Sequence, residues 1–174
     1  MTLLQLRSED AAVVYLATVY HLGRPGSETS PVTLQRHDLG LQSVHDMLLP
    51  ELGHAVVEIE VSPYQVTRIA EALLGVTNEL KQFAIANGRS AVPRFTETLH
   101  FLYPETKDDP GIAMDLVQHP VMLHNRMAGA ISDARAAIEV AAREAELRAQ
   151  AERKTWWQHS WKRLTGALGR RKGE

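Results

Sequence analysis

The sequence contains no cysteine, which excludes disulfide frameworks, thiolate metal sites and cysteine nucleophiles. This absence agrees with a reducing compartment, and no basic segment precedes an apolar stretch at the N-terminus, so no signal peptide is predicted. The longest apolar-rich run, residues 11–22, contains Thr18 and His21 and is too short to cross a bilayer. From these absences we predict a soluble, cytoplasmic protein.

Motifs that specify a reaction are also absent. The sequence has no Gly-x-Ser-x-Gly elbow, no Walker-type loop ending in Gly-Lys-Ser/Thr and no Gly-x-Gly-x-x-Gly. The sequence therefore specifies neither a reaction nor a family, and we lean towards a non-enzymatic function.

Aromatic residues make up only 6% of the chain, yet all three tryptophans, Trp156, Trp157 and Trp161, lie close to its end. Residues 1–152 hold 12 basic and 20 acidic side chains. The next twenty residues hold no acid and seven basic side chains: Arg153, Lys154, Lys162, Arg163, Arg170, Arg171 and Lys172. An acidic body is thus followed by a basic segment, and this asymmetry predicts that the segment meets an acidic surface.

Residues 154–174, here called the C-terminal arm, have the spacing of an amphipathic helix. Trp157, Trp161, Leu164 and Leu168 follow one another at four, three and four residues, which places them on one stripe of a helix. Together with Trp156 they are the predicted apolar anchors, and the seven basic residues are the predicted electrostatic patch.

Three uses of this arm remain open. Packing on the body or on a second subunit is favoured, because aromatic anchors bury a large area at little entropic cost. An anionic membrane surface comes second, since basic amphipathic helices with tryptophan lie among lipid headgroups. A nucleic acid comes third, because the acidic body repels a polyanion.

The hydrophobic pattern predicts a mainly α fold, α+β at most. Ala55 to Val61 alternates apolar and acidic residues as a strand with one face in water, and residues 1–6 suggest a second short strand. Ser8 and Ser62 are predicted helix caps. The best helix starts at Pro63, with a predicted apolar stripe of Val66, Ile69, Ala70, Leu73, Leu74, Leu80, Phe83 and Ala84. Helices are predicted near 8–22, 41–49, 63–86, 93–102 and 112–119, with a break at Pro120 and a long helix from about 121.

The long helix is rich in Ala, Glu and Arg, and its apolar residues alternate spacings of four and three. This seam consists of Met127, Ile131, Ala134, Ile138, Ala141 and Ala145. It predicts close packing against another helix of the chain or against a second subunit in a homo-oligomer. The predicted organisation is a body at 1–110, the long helix at 111–153 and the arm at 154–174.

A metal site is the main alternative. Glu51 with His54, and Glu97 with His100, are two Glu-x-x-His pairs, and residues three apart share a helical face. Two such pairs with two further glutamates form the di-iron site of ferritin-like bundles. The first pair, however, lies at a predicted helix end.

Our leading hypothesis is a small interaction or assembly protein without a cofactor. It self-associates through its long helix, and its arm docks a protein partner, a subunit or an anionic membrane surface. The runner-up is a helical carboxylate–histidine protein that binds di-iron or another divalent metal. The second alternative is a nucleic-acid-associated protein.

Overall fold

The computed structural model describes residues 2–24 and 39–169. It describes the backbone alone at 39, 134, 135, 137, 138, 147 and 149–169. In this part of the chain the fold is mainly α, with six α-helices and one two-stranded sheet, as predicted. Residues 23–31, whose glycines and prolines predict a loop, lie outside the described residues from 25 onward.

The sheet pairs β1 (Thr2–Arg7) with β2 (Val56–Val61) in antiparallel register, with Leu4 opposite Ile59. Alternate residues of β2 are buried, and Glu58 and Glu60 between them face water. The predicted strand and its one solvent-exposed face are therefore confirmed. Successive side chains of a strand point to opposite faces, which explains the alternation.

Helix α1 (Ser8–Gly23) confirms the first predicted helix, near 8–22, but corrects its predicted cap. Arg7, not Ser8, occupies the cap position, and no side chain caps the helix. The spacing predicts that this helix stops at Gly23 in a left-handed conformation, which glycine adopts most easily, but Gly23 has no positive φ angle. A Cβ atom at Gly23 would lie 2.9 Å from Val92 Cγ1, so close packing, rather than backbone conformation, favours glycine there.

Helix α2 (Leu39–Leu48) continues into a 3-10 turn (Leu49–Glu51). Helix α3 (Pro63–Ile85) starts with the predicted Ser62 cap, which forms a capping box with Gln65. The helix ends before Asn87 and Gly88, which take positive φ angles of 54° and 83°, so the predicted stop is confirmed.

The apolar stripe of α3 is confirmed with one correction. Ile69, Leu73 and Phe83 are buried as predicted, but Leu74 is 47% exposed. Its neighbours Ala72, Val76 and Thr77 are buried in the same helix. The buried face is therefore rotated by about one residue at this level relative to the stripe drawn from the sequence.

Helix α4 (Pro93–Leu102) leads through a 3-10 turn (Pro104–Lys107) to the short helix α5 (Ile112–Leu116). Helix α6 then runs without interruption from Gln118 to Gly169. The helix break predicted at Pro120 instead occurs at Val117, between α5 and α6. Pro120 is the third residue of α6, and in a first turn the missing amide hydrogen of proline breaks no helical hydrogen bond.

The chain divides into two compact units, residues 1–131 and 132–174. The first unit has one core, centred on large buried side chains such as Phe83, Phe95 and Leu16. Ala113, Val117, Leu123 and Met127 also belong to this core. The described part of the second unit is the remainder of α6. The three-part division predicted from the sequence stays a prediction.

Candidate functional site

The carboxylate of Asp10 lies at the centre of a charged cluster in the first unit. Asp10 is in the first turn of α1, and its side chain is 9% exposed. His119 Nε2 lies 2.8 Å from Asp10 Oδ1, and Arg126 Nη2 lies 3.1 Å from Asp10 Oδ2. His119 and Arg126 are seven residues apart on α6, which places them on the same side of that helix.

The environment of Asp10 favours its ionised form. Burial raises the pKa of this carboxyl group, but the hydrogen bond from His119 and the charge of Arg126 together lower it below its usual value of 3.8. Asp10 is therefore a carboxylate at neutral pH, and it accepts both hydrogen bonds as an anion.

Asp10 lines an open cleft of about 600 Å³. The other lining residues are Arg7, Glu9, Asp115, Gln118, His119, Met122 and Arg126. The cleft thus carries both signs of charge and favours neither an anion nor a cation. None of its lining side chains carries a hydroxyl, thiol or amine group.

The geometry instead fastens the start of α6 to the rest of the first unit. Asp10 binds α6 to α1, and His124 Nδ1 lies 2.8 Å from the carbonyl oxygen of Ala70 in α3. Leu123 and Met127, in the same part of α6, are buried. We call Asp10, His119, His124 and Arg126 the helix anchor. It joins the first turns of α6 to α1 and α3.

A second cleft, of about 360 Å³, lies beside α2 and α4. His45 stacks on Tyr15 there with 4.9 Å between ring centroids, and its Nδ1 is 3.0 Å from Asp46 Oδ1. The hydrogen bond from His45 lowers the pKa of Asp46. Glu97, one of the predicted metal ligands, lies on the wall of this cleft.

The four predicted metal ligands do not form one cluster. Glu51 Oε2 and His54 Nδ1 are 2.8 Å apart in an exposed pair just before β2. His100 packs edge-on against Phe83, with ring centroids 5.9 Å apart. Among the side chains that the structure describes, no three His, Asp or Glu residues are arranged to hold a metal ion. The metal hypothesis therefore gains no ligand cluster from the described residues.

The arm is described only in its backbone, which is helical to Gly169. The predicted anchors Trp156, Trp157, Trp161, Leu164 and Leu168 have side chains outside those described. The same holds for Arg153, Lys154, Lys162 and Arg163, and residues 170–174 lie wholly outside the described chain. The roles assigned to these residues stay predictions.

In the second unit α6 is exposed along its described length. Every described side chain between Ser132 and Arg148 faces solvent, including Val140, which is 59% exposed. A shallow groove of about 480 Å³ runs beside Val140, and Ala136, Glu139, Ala142, Arg143 and Glu146 line the rest of it. Within the described part of α6, Arg148 Nη2 lies 3.6 Å from Glu144 Oε2, an i,i+4 ion pair in the order that helices favour.

Comparison of the chain with protein-family models, curated proteins and solved structures finds no match. Among the described residues, no helix is both long and apolar enough to cross a membrane. Function must therefore be inferred from the molecule itself.

The helix anchor could not be found from the sequence. Asp10 is 109 residues from His119 and 116 from Arg126, and no local pattern connects positions so far apart. The only local signal is the spacing of seven residues between His119 and Arg126, which is too common to be specific.

Proposed function

We propose that this protein is a small non-enzymatic interaction or assembly protein that self-associates through α6. Its arm docks the partner subunit, another protein or an anionic membrane surface. The observation that supports this proposal is the exposure of Val140, Ala141 and every other described side chain on α6 between residues 132 and 148.

A helix this long requires stabilisation from outside itself. Isolated helices gain little from intrahelical ion pairs, at about 0.2–0.5 kcal/mol each, and most helical stability comes from packing an apolar stripe. Met127 is buried in the core of the first unit and Ile131 is half-buried. Ala141 and Ala145, further along the same predicted seam, are exposed, and so is Val140 on another face of the helix. A second helix is the simplest element that covers such residues along their length.

Sedimentation of the full chain tests this proposal. We expect a reversible oligomer whose dissociation constant rises at least about 100-fold in Val140→Asp, because an unpaired carboxylate in an apolar interface costs several kcal/mol. Val56→Asp is the matched control, since Val56 is 53% exposed on the first unit. A monomeric wild-type chain, or equal effects of the two variants, contradicts the proposal.

A further inference from the structure

We propose that the partner of α6 is a second copy of this chain, in antiparallel orientation. The Val140 groove of one copy then receives the tryptophans of the other. This inference rests on the proposed function, because it names the partner and the orientation of the same helix, but it places the contact on the face that contains Val140, roughly opposite the predicted seam of Met127 to Ala145.

Val140 and four of the five predicted anchors, all except Trp156, belong to one row of α6. Their positions alternate spacings of four and three residues, the repeat by which one face of a helix contacts a partner helix. The row consists of Ala136, Val140, Arg143, Leu147, Gln150, Lys154, Trp157, Trp161, Leu164 and Leu168. The end near Ala136 holds small residues, and the end near Trp161 holds large ones.

The two ends of this row cannot meet within one chain. Val140 and Trp157 are seventeen positions apart on a continuous helix, which separates them by about 26 Å. Trp157 can therefore reach the groove beside Val140 only from another molecule. A groove beside a small side chain is the kind of site that an indole ring fills well.

Charge decides the orientation. Residues 132–152 carry five acidic and three basic side chains, whereas residues 153–169 carry four basic and no acidic ones. A parallel pair places each segment beside its own copy, and like charges face each other. An antiparallel pair places the acidic segment beside the basic one, which favours association and fixes orientation.

The positions beside the row suggest a register. Glu139 and Glu146 flank the row, and both line the groove. If Glu146 lies opposite Arg153 of the partner subunit, then Val140 falls opposite Trp157 of the partner subunit. Ala136 then falls opposite Trp161 of the partner subunit. Small side chains thus face large ones at these two levels. Arg143, however, falls opposite Lys154 of the partner subunit, and this pair of like charges weakens the association and keeps it reversible.

Cross-linking tests the orientation cleanly, because the chain has no cysteine of its own. Glu139→Cys and Ser160→Cys lie beside the row and leave every apolar position intact. A bifunctional thiol reagent spanning about 10 Å, close to the spacing of packed helix axes, is added to each variant alone and to their mixture. Sedimentation of both unmodified variants runs alongside.

The antiparallel register predicts covalent dimer in the mixture at about tenfold the level in either variant alone, because identical positions lie roughly 30 Å apart. Covalent dimer in each variant alone indicates a parallel pair, which rejects the orientation but leaves self-association standing. If the variants sediment as dimers but give no cross-linked product, the proposed register and the Val140 face of α6 are both rejected. Monomers in sedimentation reject both proposals, and monomers that bind phosphatidylserine vesicles assign the arm to a membrane surface instead.

Discussion

Replacement of Asp10 by alanine is expected to lower the free energy of unfolding by about 3 kcal/mol. The change removes the acceptor for His119 Nε2 and Arg126 Nη2 and opens space at a buried position. Because Arg126 is mostly exposed, its share of the loss is small, and the His119 contact and the buried site account for most of it. Urea unfolding followed by circular dichroism measures the difference.

Asp46→Ala is the matched control for this variant. Asp46 also accepts a hydrogen bond from a histidine, His45, but its side chain is 62% exposed. We expect a change within about 0.5 kcal/mol for this surface site. Equal losses in the two variants would show that the helix anchor contributes nothing beyond a surface pair.

The same contact makes stability depend on pH in acid. The pKa of Asp10 is lower in the folded chain than its usual value of 3.8, so the unfolded chain binds the proton more tightly. The stabilisation is complete above that usual value and is lost as the pH falls through the folded pKa. Wild-type stability should therefore fall more steeply than that of Asp10→Asn below about pH 4. If the unfolding free energies of the two proteins fall equally with pH, the lowered pKa is wrongly assigned to Asp10.

Truncation of Phe83 to alanine is expected to cost about 4 kcal/mol of unfolding free energy, since large cavities in packed cores cost this much. Phe83 is fully buried, and its ring lies edge-on to Phe95 with centroids 6.2 Å apart. Thermal and urea unfolding both measure the loss. Phe101→Ala is the control because Phe101 is 71% exposed, and a comparable loss there contradicts the described core.

Local patterns predicted much of the fold correctly. The alternation from Val57 to Val61 fixed a strand, and Ser62 with Gln65 fixed a helix start, because both signals act over a few residues. Leu74 was assigned to the core wrongly, since periodicity gives the width of an apolar stripe but not which edge a neighbour covers. Ser8 was assigned as a cap wrongly, because β1 continues into Arg7 and moves the helix start by one residue.

The candidate site was much less predictable than the fold. The helix anchor joins residues from opposite ends of the first unit, and only tertiary packing brings Asp10 to His119. The exposed Val140 could not be separated from a buried one by sequence, because burial depends on which neighbours are present. Self-association and the use of the arm followed from composition and periodicity, and they stay proposals.

Tryptophan emission, measured over a dilution series, tests the central claim most directly. All three tryptophans lie in the arm, so the spectrum reports on the arm alone. We expect emission at shorter wavelengths while the chain self-associates and a shift towards the spectrum of indole in water as dilution separates the copies. Val140→Asp should show the water-like spectrum at concentrations where the wild type does not. An emission maximum that is unchanged by dilution and by this substitution would contradict docking of the arm on a second copy.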